Sequence, residues 1–335
     1  MNIVQGFLLV ILAGIFQGSF LLPSTYTRNW EWAHNWLIFS LLGMFIINWS
    51  IAFFAIDHLF SILSQIPLRI MVTVSLFGFL WGVGAILFGK AMDMLGMATG
   101  YPIIMGINAT AGTVIPALIF SSGIFVQFKG VIIIIGAIIS VIGIVVSTKA
   151  TSLKNYNVSA TQSRRFSLGL VLAIVAGFTS CLPNIGASLC TGITDMATVS
   201  GVKGALAGNI VWVLFFTLGS VANIGYCLFI INKKKTFKAL VNEHKYKNWL
   251  LIGAMSAIWM GSFYFYGLGA SKMGSLGLIA GWPLLVTLSI VIGNLWGIYR
   301  GEWSNAPKES LRLMRTGMGI LVLAIVITSL SNWRF

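Results

Sequence analysis

The chain has 335 residues, of which 58% are hydrophobic and 8% charged, and its formal net charge is +14. Soluble proteins carry charge on roughly a quarter of their residues, so this composition excludes a water-covered globule and makes lipid the solvent of the fold. The positive excess would suit nucleic acid, but its distribution among the connections between apolar runs assigns it to membrane topology.

A hydrocarbon core about 30 Å thick needs about 20 apolar residues per helix. Ten such runs follow one another, at 3–22, 35–56, 69–91, 95–120, 130–148, 168–187, 204–231, 248–270, 276–299 and 311–332. The sequence lacks the alternating ten-residue segments of a membrane barrel. The first run has no basic leading region and no A-x-A site, and it is too long for a signal peptide, so it reads as a membrane helix carrying Gln17. The connection "TRNWEWAHNW" (27–36) reads as an aromatic belt at headgroup level. The second run carries Asn48, and Asp57 follows it directly.

The third and fourth runs meet in "GFLWGVGAILFGKAMDMLGMATG" (78–100), a glycine-laced stretch with Trp81, then Lys90 and Asp93 near a very short hinge. Gly78 and Gly82 share a helix face, as do Gly14 and Gly18, so backbones can touch there. Residues 84–91 fit the G-x-x-x-x-G-K spacing of a phosphate-binding loop. Ala91 stands where Ser or Thr would hold magnesium, however, and the segment reads as membrane helix, so nucleotide binding is rejected. Within the fourth run lie Pro102, expected to interrupt it, Asn108 near its centre, and Pro116 near its end. After the fifth run, "KATSLKNYNVSATQSRR" (149–165) reads as a flexible cytosolic linker.

The sixth run contains Pro183 and Asn184, with Asp195 beyond it. The seventh contains Asn209 and Trp212 and leads into the basic "NKKKTFKALVNEHKYK" (232–247), suited to rest on anionic lipid. The eighth contains Trp259, Tyr264 and Tyr266. The ninth contains Trp282, Pro283 and Asn294, with Glu302 at its end. With ten spans, five basic residues (Arg69, Lys129, Lys203, Lys272 and Arg334) fall on one side and the other 16 of the 21 on the opposite side. Positive connections stay in the cytoplasm, so both termini are expected outside.

The opening third-run stretch recurs 178 residues on, with Trp81 over Trp259, Gly89 over Gly267 and Gly96 over Gly274. A second match, shifted by 163, lays "GFLLVILAGIF" (6–16) over "GLVLAIVAGFT" (169–179). The expected plan is two five-helix repeats, 1–150 and 168–335, joined by the cytosolic linker 151–167. An odd helix count inverts the second copy, which is the inverted-repeat plan of many secondary transporters.

No carboxylate sits mid-run, and no H-E-x-x-H, diphosphate-binding aspartate pair or Ser/His/Asp set is present. The three cysteines lack metal-ligand spacing. A membrane enzyme needs positioned acids, bases or metals, so the chain is read as no enzyme, with no metal or cofactor. The mid-membrane depths instead hold neutral amides and large aromatics. A buried amide in lipid requires a partner. An interhelical hydrogen bond is one answer; a hydroxyl-rich neutral substrate is another, because amides both donate and accept and aromatic faces stack on C–H surfaces. Taken as a set, Gln17, Asn48, Trp81, Asn108, Asn184, Trp212, Tyr264, Trp282 and Asn294 are the expected sugar-binding residues. Pro102 and Pro283, 181 apart, mark breaks at matching places in the two halves.

Several segments are similar to the L-rhamnose–proton symporters, within the ten-helix drug/metabolite transporter superfamily. They are "GSFLLP" (18–23), "WEWAHNW" (30–36), "FGFLWGVGAILFGKAMDMLGMATG" (77–100), "IIMGINATAGTVIPALI" (103–119) and "GEWSNA" (301–306). The chain departs from that pattern at "IINWSIAFFAI" and at "CLPNIGASLCTGITDM". The resemblance implies uptake of a neutral monosaccharide by proton symport across the inner membrane, with alternating access between the halves. Candidate proton carriers are Asp93, Asp57, Asp195 and Glu302. A carrier or facilitator of another small molecule, or a membrane-embedded enzyme or accessory subunit, are the alternatives left open.

Overall fold

The computed structural model describes residues 3–120, 127–154, 160–183, 209–273 and 281–330, together with 193, 197–199, 201 and 202. The described residues form helices and turns, and seven of the helices are long and apolar enough to cross a membrane. These correspond to the expected first, second, third, fifth, seventh, eighth and tenth runs; the ninth appears as a shorter apolar helix, Leu284–Tyr299.

In chain order, α1 is Ile3–Ser19. A 3-10 turn at Leu22–Tyr26 leads to α2, built from three consecutive segments, Trp32–Phe39, Ser40–Ile47 and Asn48–Ala55. The middle segment of α2 has the wider π-helical winding. A short helix, Leu59–Gln65, precedes α3 (Leu68–Leu95). There follow α4 (Met97–Phe120), α5 (Phe128–Lys154), α6 (Ala160–Thr179), α7 (Asn209–Lys234), α8 (Lys245–Met273), α9 (Trp282–Tyr299) and α10 (Lys308–Leu330).

The helices overrun the apolar runs. The linker expected at 149–165 is largely taken up by helix: α5 continues to Lys154 and α6 begins at Ala160. Apolarity marks where lipid ends, whereas a helix ends where its backbone loses partners, and Lys, Ser and Thr in water do not force that. Pro183 lies beyond α6 and not within it. Pro102 does not interrupt α4, which runs through it. A proline at 102 leaves the carbonyl four residues back without its helical donor. That carbonyl, Ala98 O, accepts instead from Asn294 Nδ2 of α9 at 3.0 Å.

A single residue, Gly96, separates α3 from α4. Its φ of +79° is strained for any residue with a Cβ, and an added Cβ would collide with the Glu302 carboxylate. That carboxylate accepts the Met97 and Ala98 backbone N–H groups at 2.8 and 2.9 Å. It thereby satisfies two orphan donors at the positive end of the α4 dipole.

The packing pairs form a pattern. Helix α1 packs on α8 and α9, and α6 packs on α3 and α4. Helix α3 packs on α7, α8 on α2, and α2 on α7. The pairs α4–α9 and α5–α10 also meet, as do α4–α5 and α9–α10. Close approaches use small residues, as expected where lipid gives no hydrophobic drive for association. At the α3–α7 crossing a Cβ on Gly82 would stand 2.5 Å from Gly219 O.

Polar contacts gather the α1–α2, α3–α4, α7–α8 and α9–α10 connections, with the α5 and α6 ends, at one end of the bundle, called the basic end below. Arg28 N donates to Asn248 Oδ1, Trp30 Nε1 to Ala239 O, and Lys234 pairs with Glu31 at 2.6 Å. That ammonium, hydrogen-bonded to Glu31, holds its carboxyl below the usual carboxylate range. Arg300 reaches Thr25 O and lies over the Tyr26 ring, and Ser310 donates to Ala150 O. Lys154 lies over Trp303. Burial lowers its pKa against the opposing pull of Glu302.

Candidate functional site

Four helices place polar and aromatic side chains in a circuit inside the bundle. On α3, Trp81 and Phe88 are seven residues apart and share a face. Phe88 meets the Tyr101 ring of α4 edge-on at 6.1 Å. Tyr101 is fully buried and donates its hydroxyl to Gln17 O of α1 at 2.8 Å. The Gln17 side-chain oxygen accepts from Ser262 Oγ of α8 at 2.5 Å. One turn back on α8, Trp259 lies nearly parallel to Trp81, with centroids 6.2 Å apart, and closes the circuit. Phe39 of α2 and Phe216 of α7 pack on Trp259 from the remaining sides.

Asn108 lies two turns along α4 from Tyr101, on the same face. Its side-chain oxygen is buried and has no hydrogen-bond partner among the described residues. An unmet buried acceptor carries a desolvation penalty of about 1–3 kcal/mol, so this amide stands ready for a donor that the protein does not supply.

The other expected residues divide by what they touch. Asn48 donates to Trp212 O at 3.2 Å, tying α2 to α7. The Trp212 ring stacks on Phe216 at 5.5 Å and meets Phe263 at 5.9 Å. Asn294 is fully buried and caps the carbonyl freed by Pro102. Tyr264 is half-buried on α8. Asn184 and the side chain of Trp282 lie outside the described residues, as does Asp195. Of the acids, Asp57 is exposed in a turn, Asp93 pairs with Arg165 at 3.1 Å on the surface, and Glu302 holds the start of α4. The described residues contain no group of His, Cys, Asp and Glu that could hold a metal ion.

Sequence reasoning missed Tyr101 and Asn223. Asn223 is fully buried on α7, accepts Trp36 Nε1 at 2.7 Å, and donates to Gly82 O at 2.9 Å and Gly219 O at 2.7 Å. It lies near the middle of α7, so it left the same signal as the other mid-run amides. Tyr101 did leave a signal: it precedes Pro102 as Trp282 precedes Pro283.

Comparison with known proteins matches residues 1–332 to the family described as L-rhamnose-proton symport protein. A protein from Mannheimia succiniciproducens named L-rhamnose-proton symporter is 28% identical over 337 residues, covering 96% of this chain and 98% of the relative. Relatives of the same name from Klebsiella pneumoniae and Escherichia coli are 25% and 23% identical, each alignment covering 98% of both chains.

Proposed function

The chain belongs to the L-rhamnose-proton symport protein family, and on that premise we propose that it imports L-rhamnose, or a closely similar neutral monosaccharide, together with protons. The observation that carries this reading is the family match over nearly the whole chain. It is a multi-pass membrane transporter and not an enzyme.

The mechanism we propose is alternating access between two inverted five-helix halves, the ten-helix plan of the drug/metabolite transporter superfamily, with the basic end in the cytoplasm and both termini outside. The packing supports it. Exchanging α1–α5 for α6–α10 turns α1–α8 into α6–α3 and α1–α9 into α6–α4, and leaves α2–α7, α4–α9 and α5–α10 as themselves. Individual contacts follow the same exchange. Gly6 faces Met273, and Gly169, 163 residues on, faces Leu95, 178 residues before Met273. Gly14 faces Leu288, and Gly177 faces Ile107, by shifts of 163 and 181. Chance similarity of apolar helices gives no reason for such pairing.

The sugar site in this reading is the circuit of α1, α3, α4 and α8. In this assignment Asn108 accepts a sugar hydroxyl and Trp81 presents an aromatic face to the ring, with Gln17, Trp212, Tyr264, Trp282 and Asn184 as the further candidates. Among the proton-coupling candidates, Glu302 has the geometry to link a proton to a moving element. Protonation would remove a negative charge and one acceptor from the start of α4, the helix that carries Asn108. The charged group beside it is Lys154.

Uptake into proteoliposomes under an imposed pH gradient, acid outside, tests the proposal. Labelled L-rhamnose is expected to exceed its external concentration and to leak out when a protonophore is added. Equilibration without accumulation would remove the coupling, and no uptake of this or a related sugar would remove the function.

A further inference from the structure

On α3 a stripe of exposed apolar side chains, Val72, Leu76, Phe79 and Val83, faces outward from the bundle. Seven residues past Val83, on the same face, stands Lys90. It lies five residues before the end of α3, about 7 Å inside the basic end by helical rise. Its ammonium contacts the Tyr226 hydroxyl of α7 and lies over the Tyr226 and Trp32 rings, at 4.7 and 6.0 Å from their centroids. On α7, Tyr226, Phe229 and Lys233 share a face; Phe229 is 60% exposed, and Lys233 lies over its ring.

Neither lysine has a carboxylate partner among the described residues. Asp93, three residues further along α3, pairs with Arg165, and Glu31, beside Trp32 in the chain, pairs with Lys234. The indole N–H of Trp32 is buried against Gly89 and has no acceptor among the described residues. Two cations without carboxylate partners and a phenol thus lie along the α3–α7 seam near the basic end.

We propose that the seam between α3 and α7 at the basic end binds the phosphate of an anionic phospholipid through Lys90, Tyr226 and Lys233. The phosphate supplies the negative charge the lysines lack, and the acyl chains lie along Val83, Leu76 and Phe229. The seam is separate from the sugar circuit and does not depend on the transport reading.

The test uses the full-length protein in detergent, titrated with short-chain phosphatidylglycerol, phosphatidylcholine or inorganic phosphate, with bound lipid read by native mass spectrometry and by thermal shift. Phosphatidylglycerol is expected to bind more tightly than phosphatidylcholine, with inorganic phosphate giving no shift at equal concentration. Lys90→Gln and Tyr226→Phe should each weaken phosphatidylglycerol about fivefold or more, while Lys308→Gln, on an exposed lysine at the same end, leaves it unchanged. If Lys90→Gln does not fold, Tyr226→Phe decides, since it keeps the ring. The proposal is overturned if these variants bind like the wild type, if Lys308→Gln weakens binding as much, or if inorganic phosphate alone reproduces the shift.

Discussion

Asn108 and Asn223 are both buried asparagines, yet the structure separates them by their partners. Asn223 meets an indole N–H and two backbone carbonyls, whereas the Asn108 oxygen meets no donor among the described residues. Asn223→Ala would strand those groups, and we expect a stability loss on the order of 2–3 kcal/mol, read as a lower melting temperature in detergent. Asn108→Ala removes an acceptor the protein does not use. It should leave the melting temperature near that of wild type while slowing sugar uptake about tenfold or more. Trp81→Ala should also impair uptake with the protein still in the membrane. Unchanged transport by both Asn108→Ala and Trp81→Ala would remove the site assignment. Residue type and depth were legible in the sequence; which amides are already satisfied was not, because satisfaction depends on neighbours far away in the chain, such as Trp36 for Asn223.

At the scale of elements, Pro102 and Asn294 act together across α4 and α9. Asn294→Ala should cost about 1–2 kcal/mol by leaving Ala98 O buried and unpaired. The same change in a Pro102→Ala background should cost much less, since an alanine N–H in place of the proline ring restores the helical donor. Equal losses in both backgrounds, measured as a double-mutant cycle of melting free energies, would refute the pairing. Gly82→Leu should break the α3–α7 crossing, where even a Cβ meets the Gly219 backbone; loss of monodisperse protein on gel filtration checks it. Of the ten expected spans, the described residues show seven at membrane-crossing length, as expected where apolar length is set by lipid thickness. The sequence foretold the helix ends poorly: α5 and α6 run into the polar stretch at 149–165, and α4 passes through its proline. Those limits are set by hydrogen-bond supply from other elements, which composition does not encode.

For the whole molecule, charge asymmetry anticipated which connections lie together. The connections expected on one side do meet at one end, through Arg28–Asn248, Glu31–Lys234 and Arg300–Thr25. Glu302 joins the second half to the first at that end, so Glu302→Gln should spare rhamnose exchange across the bilayer while abolishing accumulation driven by a pH gradient. Equal loss of both would make Glu302 structural only. The central claim is that two inverted halves open alternately at opposite ends. Pulsed electron spin resonance on the reconstituted protein tests it most directly, with one label pair at Thr25 and Ser304 on the basic end and another at Asp57 and Val199. On adding L-rhamnose at acid pH, the account predicts a longer first distance and a shorter second one. Two distances that rise or fall together, or that stay fixed while sugar crosses, would contradict it.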